Sequence, residues 1–500
     1  MWRGSRRPRP PGPAGRLPKA GAVIEFPGCR TKPDTSTGTG PDVSSSQGTW
    51  DLIVLGAGSG GIGAALAAAR LGLRTLLVDE WPAIGGVAVH GGVNVWEPGV
   101  GGTGIPHDIY RRLRQTPDAV GIYSFGRHCC WPGANKPPFP GGELLVDPER
   151  SYADTLRRHG SRGLAQDEAF VRKYWHGVVF EPDAYLSAVA GMLRETGLVE
   201  VRTGAALAGV DCIGGRLESV MLADRTRLRS GAWIDATNTG ALCRACGARV
   251  APRAAAPLNA VSLIYRITPA APARIEPLPA GLPSGCWWQA SFPLMSCVEY
   301  PNRDRSCNML PTMSAEECLA LGPRAAFQEC ERRVRAHWRW VQQEYPEFRG
   351  YRIARIAPRL GIRETVHLEC EYMLCIDDLL KGLPGQNHTD IIALADHAMD
   401  SHGQGAGCTE LARPYGIPFR SLAPKGLQNV LISSMAAGFT SEAATSCRLS
   451  RTIMQLGQAA GTAAALASRL GLMPREAPVE QLRKALADQR VRLDWPFGGH

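Results

Sequence analysis

The sequence predicts an α/β protein: a Rossmann-like nucleotide-binding domain that carries a large inserted α+β region. Three observations predict it. Residues 51–86, DLIVLGAGSGGIGAALAAARLGLRTLLVDEWPAIGG, run as strand, glycine turn, helix, strand and acid. Five hundred residues at 44% hydrophobic suffice for a large core and about two or three domains. No second GxGxxG unit follows a strand, so no second dinucleotide domain is expected, NAD(P)H included.

The glycine unit justifies the nucleotide domain residue by residue. Leu52 to Leu55 is a short apolar run with β-branched residues, the mark of a buried parallel strand. Gly56, Gly58 and Gly61 follow as GxGxxG. The first permits the tight turn, the second lets a pyrophosphate approach the backbone, and the third lets the helix pack close to the sheet. That helix, roughly residues 62–71, aims free N–H groups and its positive end at the phosphates. Gly72 stops it, residues 74–78 make the next strand, and Asp79 stands at that strand's carboxyl end, placed to accept from a ribose hydroxyl.

Composition excludes other classes. The most apolar long uncharged run, residues 52–69, is broken by glycines at 56, 58, 60, 61 and 63, so it reads as a nucleotide turn and not as a membrane span. Of the net charge of +10, half sits in residues 1–49, with eight Lys/Arg against three Asp/Glu. The remainder is dilute, and no basic stripe interleaved with aromatics speaks for nucleic acid. The fifteen cysteines are scattered and follow no secretory signal, which fits a reducing cytoplasm. Cys243 and Cys246 form the only CxxC, in a predicted helix where buried thiols are expected. His128-Cys129-Cys130 has no second ligand pair, so no metal site follows.

Residues 1–48, rich in Pro, Arg, Gly and Ser, are expected to be a disordered basic tail. From Gly85 the text GGVAVHGGVNVW is glycine-rich, as suits polypeptide running beside a planar ring, and its His90 is a candidate proton donor or acceptor. Residues 120–175 read as an irregular insertion over the active site or as a partner surface. Pro182 opens a helix to about Glu195, with Gly197 as its stop. A strand at 199–203, a hairpin from 216–222 and 226–229, and a buried strand Trp233 to Thr237 come next. Beyond a β segment at 261–267, Ser314-x-x-Glu317 is a capping box for a helix that Gly322-Pro323 breaks, and Phe327, Val334, Trp338, Val341 and Tyr345 continue its buried face.

Five stretches then carry a resemblance: IDATNTGALCRACGARV, GIRETVHLECEYMLCIDDLL, DIIALADHAMDSHG, PYGIPFRSLAPKGLQNVLISS and SCRLSRTIMQLGQAAGTAAALASRLG. In order and wording they resemble the FAD-dependent oxidoreductase family related to the flavin subunits of fumarate reductase and heterodisulfide reductase, over about residues 50–495. The resemblance implies a glutathione reductase-type FAD-binding domain, discontinuous over 49–95, 196–252 and 410–472. It also implies an inserted substrate or cap region at 96–195 and 253–409, then a C-terminal helix and tail at 473–500. FAD is the implied cofactor, held by Gly56, Gly58, Gly61, Asp79, the Gly85-Gly86 pair, Gly240 and, at the closing helix, Gln458. Two places depart from the family's wording: Asn238-Thr239-Gly240 stands for Gly-Asp-Gly, and Ser433-Ser434-Met435 for Ala-Gly-Arg.

By family position the catalytic candidates are Arg363 in GIRET, His402 in DSH and Arg448 ahead of the closing helix, with His90, near which some relatives attach flavin covalently. Glu364, Asp400 and Arg420 are their expected partners. Cations anchor an anionic small molecule, and imidazole carries a proton near neutral pH. The expected activity is hydride transfer between a small organic substrate and flavin N5, with electrons passed to an acceptor or a redox partner protein. A flavin-fold binding protein without turnover and a non-redox flavin lyase are the alternatives.

Overall fold

The computed structural model describes residues 50–97, 100–123, 129–131, 144–145, 177–252, 258–402, 408–409 and 411–495. The 1–48 tail and most of the 120–175 insertion lie outside them, as do their expected disorder and covering role.

Five parallel strands form the sheet that carries the glycine turn, in the order Val430–Ile432, Ala232–Asp235, Leu52–Leu55, Thr75–Val78, Val199–Arg202. The middle three are buried along their whole length, which is why they read as near-continuous apolar runs. Helix Ser59–Arg70 leaves the turn, and helix Ser450–Leu470 packs along it. Small residues set that distance. A Cβ at Gly63 would lie 2.2 Å from the Met454 carbonyl oxygen, one at Gly457 1.9 Å from that of Gly60, and one at Gly461 2.2 Å from that of Ala64. No other residue type tolerates such an approach.

The expected 216–229 hairpin is present, and a third strand, Leu207–Ile213, completes it. That strand is half-exposed on both faces, so its sequence lacks the alternation that would have announced it.

A second, antiparallel sheet runs Tyr351–Ile356, Ile264–Pro269, Arg305–Leu310, Leu294–Glu299, Cys129–Trp131. Its two faces separate by strict alternation. Tyr265, Ile267, Met295, Cys297, Cys307 and Met309 join the core under helix Ala315–Glu344, while Ile264, Ser296, Val298, Ser306, Asn308 and Leu310 turn toward a cleft. Ser314 caps that helix by accepting from the Glu317 N–H, and Gly322 (φ 75°) ahead of Pro323 kinks it where a break was expected.

The main core also takes in Val189 of helix Pro182–Glu195 and Ile392 and Ile417 of the hairpin Ile391–Ala395/Tyr415–Pro418. Residues on both sides of positions 195 and 409 share that core. Among the described residues no helix is long and apolar enough to cross a membrane.

Candidate active site

A cleft of about 1670 Å³ takes its walls from the glycine turn, the Asp79 loop, the antiparallel sheet and the start of the closing helix. At the turn the glycines answer different demands. Gly56 (φ 100°) would put a Cβ 2.5 Å from the Ala236 carbonyl oxygen, Gly60 one 1.7 Å from that of Ser433, and Gly61 one 1.7 Å from that of Gly56. Those three are required by neighbouring protein. A Cβ at Gly58 meets only the Gly86 Cα, at 3.9 Å, so no protein atom demands its bareness, and its backbone lies open to the cleft.

The helix's backbone ladder begins with the Ile62 N–H donating to the Gly58 carbonyl at 2.9 Å. The N–H groups ahead of it, at Ser59 and Gly60 on the cleft wall, have no partner within the helix. Asp79 closes the turn: one carboxylate oxygen accepts from the Ala57 N–H at 2.5 Å, the other from the Trp81 N–H at 2.8 Å. Gly85 (φ 112°) donates to the Ala57 carbonyl at 2.9 Å, and a Cβ at Gly86 (φ 53°) would meet the Gly58 Cα at 2.7 Å, so the GG pair is stitched onto the turn. Open N–H groups at a helix start, bare backbone and a carboxylate alongside form a cradle that fits the diphosphate and ribose of a dinucleotide.

Both departures from the family's wording place a backbone carbonyl beside the site, and at the second the Ser434 hydroxyl also accepts from the Ala436 N–H at 3.2 Å. The Asn238 carbonyl accepts from the Thr365 hydroxyl at 2.5 Å, and the Ser433 carbonyl forms the floor under Gly60. Gly240 (φ 60°) starts the short helix Ala241–Ala245 against Leu368, with Asn238 and Thr239 on the cleft wall.

Arg363, Asp400, His402 and Arg448 converge on another stretch of that wall. His402 Nε2 lies 2.6 Å from an Asp400 carboxylate oxygen, and the His402 N–H donates to Asn259. Arg448 donates to the Asp400 carbonyl at 3.1 Å and lies 3.7 Å from its carboxylate, with Nε buried and, among the described residues, without a hydrogen-bond partner. Arg363 donates to the Ala260 carbonyl at 2.9 Å.

Burial pushes the Arg363 guanidinium down to about 9, with Arg448 adding to the shift and Asp400 opposing it. Arg448 is lowered by burial too, against the pull of Asp400 and Glu364. Burial works to raise the Asp400 carboxyl, but the His402 hydrogen bond and the charges of His402 and Arg448 outweigh it and hold it well below the usual range. The His402 imidazole is pushed down to about 4, first by burial and then by Arg363, against the Asp400 bond. Since ionised Asp400 can only accept, Nε2 carries the imidazole proton and Nδ1 the lone pair.

Other candidates sit elsewhere. The His90 ring contacts the Ala83 carbonyl at 2.9 Å and the Trp81 ring at 5.4 Å, and the cleft wall does not include it. Gln458 is fully buried, accepting from the Ile105 N–H and donating to Gln489, so it ties the closing helix to a loop, while Ser450, Arg451 and Ile453 of that helix reach the wall. Glu364 binds Asn259 behind the wall, and Arg420 pairs with Asp390 away from it. Burial raises the Cys243 thiol well above its ordinary range, so the CxxC offers no ready thiolate there.

The buried imidazoles make a pH prediction. His402 and His337 are both pushed down to about 4 by burial, whereas the unfolded chain takes up these protons near 6.5. Between those values the unfolded state binds more protons, so each histidine's contribution is present above pH 6.5 and is lost as pH falls to 4. It amounts to about 3 kcal/mol each. Urea unfolding at pH 7, 5.5 and 4.5 should show that loss, and His337→Gln should flatten the slope by about one proton; an unchanged slope contradicts the assignment.

Comparisons with known proteins bear on this geometry. The family model described as FAD dependent oxidoreductase matches residues 51–256 and 287–486. A 3-oxosteroid 1-dehydrogenase of Mycobacterium tuberculosis is 35% identical over 79 residues, 15% of this chain and only 13% of that protein's length. Among solved structures, a geranylgeranyl bacteriochlorophyll reductase-like protein from Thermoplasma acidophilum aligns over 88% of this chain and 84% of its own, at 14% identity and a TM-score of 0.44. A myxobacterial chondrochloren halogenase, a variant of FAD-dependent halogenases, aligns over 88% and 78%, at 13% identity and a TM-score of 0.42.

Proposed function

The chain belongs to the FAD-dependent oxidoreductase family, and from that premise we propose that it is a flavoenzyme that oxidises or reduces a small anionic organic substrate by hydride transfer. Bound FAD supplies the two-electron chemistry, with electrons exchanged against a second small molecule or a redox partner protein. Gly56, Gly58, Gly61, Asp79, Gly85, Gly86 and the backbone at Asn238 to Gly240 are assigned to holding it.

One observation carries the choice of substrate charge: Arg363 and Arg448 stand together on the cleft wall, and Asp400, the acid that Arg363 feels, is already shared with His402 and Arg448, while Arg448 is drawn also by Glu364 and Glu97. A guanidinium on a cleft wall whose acid is shared in this way is open to an anionic ligand, and a carboxylate meets guanidinium N–H groups with charge-assisted bonds. Ile264, Val298 and Leu310, with Ser296 and Ser306 between them, offer the substrate's body an uncharged surface. His402 is assigned the proton. Neutral at pH 7, with Nε2–H held by Asp400, it accepts at Nδ1.

Anaerobic titration of the purified holoprotein with hydroxy acids, dicarboxylates, amines and sugars tests the reading. Bleaching of the flavin absorbance by an anionic compound, lost when its carboxylate is esterified, is the expected result. Bleaching by neutral or cationic compounds alone overturns it, and protein that takes up no added FAD overturns the cofactor site as well.

A further inference from the structure

We propose that Arg359, on the segment leaving the antiparallel sheet, supplies the cation that grips the FAD diphosphate opposite the glycine turn, so that the cofactor is held from the substrate side as well as from the nucleotide domain. The inference rests on the cofactor site described above, and no sequence motif had pointed to this residue.

Position comes first. Arg359, Trp81, Asp79, Glu80, Gly58 and Ser59 all line the cleft. The Arg359 guanidinium lies 3.9 Å from the centre of the Trp81 ring. The Trp81 N–H donates to Asp79 at 2.8 Å, and Asp79 in turn accepts from the Ala57 N–H within the glycine turn at 2.5 Å. The Arg359 backbone is itself anchored, its N–H donating to the His90 carbonyl at 3.1 Å. Three successive contacts thus connect the cation to the phosphate cradle.

The charges of the cleft also divide. Arg363 answers to Asp400, and Arg448 to Asp400, Glu364 and Glu97, whereas the acids that Arg359 feels are Glu80 and then Asp79. Arg359 makes no ion pair and no side-chain hydrogen bond with a described residue, and its only side-chain partner is the Trp81 face. A guanidinium held over an indole face spends none of its N–H groups on a protein acceptor, which leaves them for a phosphate.

Electrostatics supplies the need. A diphosphate brings two negative charges to a place that already holds Asp79 and Glu80. The helix start offsets only about half a charge. A further cation lowers the cost of holding the dianion beside two carboxylates, and Arg359 is an arginine of the cleft wall whose electrostatic partners are those two.

The test uses the full chain freed of flavin, with ADP and adenosine as probes. ADP keeps the diphosphate and drops the flavin ring, and adenosine drops both. Arg359→Gln is expected to weaken ADP binding by roughly ten- to hundredfold and to leave adenosine binding unchanged. The holoprotein variant should also shed flavin on gel filtration at high salt, where the wild-type protein keeps it. Equal ADP affinity in the two proteins overturns the proposal. So does loss of adenosine together with ADP, which makes Arg359 a structural prop. Wild-type protein that binds neither ADP nor FAD overturns instead the cofactor site on which the inference rests.

Discussion

Replacing Gly58 with alanine is expected to deprive the protein of flavin while leaving its fold intact. The new methyl group meets no protein atom closer than the Gly86 Cα at 3.9 Å, and Gly58 has an ordinary extended backbone, φ −80° and ψ −163°. Nothing in the apoprotein has to move. The methyl group does enter the cleft beside the turn, where a phosphate oxygen must come within about 3 Å of backbone nitrogen. Losing two bonds of that charge-assisted kind costs about 3 kcal/mol, roughly a hundredfold in affinity. The flavin-to-protein absorbance ratio of the purified variant should fall close to zero while the apoprotein melts where the wild-type apoprotein does. Gly60→Ala is the contrasting control. Its Cβ would lie 1.7 Å from the Ser433 carbonyl oxygen, so it should destabilise the fold by about 3 kcal/mol. A Gly58→Ala protein that comes off the column with stoichiometric flavin would remove the basis for the cradle.

How much of this could be read from the chain follows from which contacts are local. The glycine turn, its helix and Asp79 span fewer than thirty residues of consecutive text, from Gly56 to Asp79, and their order carries their geometry. Gly457 and Gly461 of the closing helix meet the backbone of helix Ser59–Arg70, a partner that lies nearly four hundred residues away in the text. Arg363, His402 and Arg448 came from family wording, and all three reach the cleft wall. His90 and Gln458 had the right neighbourhood and the wrong direction. A loop histidine beside the GG pair turns to the Ala83 carbonyl, and a helical glutamine one residue past Gly457 turns into the core, because side-chain direction depends on partners far along the chain, such as Ile105 and Gln489. Asp400 was read as a mere partner, yet it sets the charge and tautomer of the wall. Arg359 had no motif at all, since its significance arises only when the antiparallel sheet delivers it to Trp81. Strand 207–213 was missed for the same reason, its pairing being fixed by residue neighbours and not by its own pattern.

Once a substrate that bleaches the flavin is in hand, His402→Gln is expected to slow that bleaching by roughly 10²- to 10⁴-fold, the usual range for removing a general base. Glutamine can still donate to Asp400, so the wall keeps its hydrogen bond and loses only its basic nitrogen. FAD affinity should not change, because the cradle's contacts run through Ala57, Asp79 and Gly85 and none involves His402. Asp400→Asn should reach a comparable loss by another route. The amide removes the negative charge that stabilises the imidazolium formed on proton transfer, and where its NH2 faces Nε2 it moves the proton onto Nδ1, leaving no lone pair where the substrate's proton has to go. Because the two substitutions disable one unit, the double variant should be hardly slower than either single one. Wild-type bleaching should fall as pH drops toward 4, where His402 takes up its proton, and this acid limb should vanish in His402→Gln. If the glutamine variant bleaches within a few-fold of the wild-type rate and keeps the acid limb, proton transfer belongs to another group, and Asp400 with His402 serves only to balance the charges of Arg363 and Arg448.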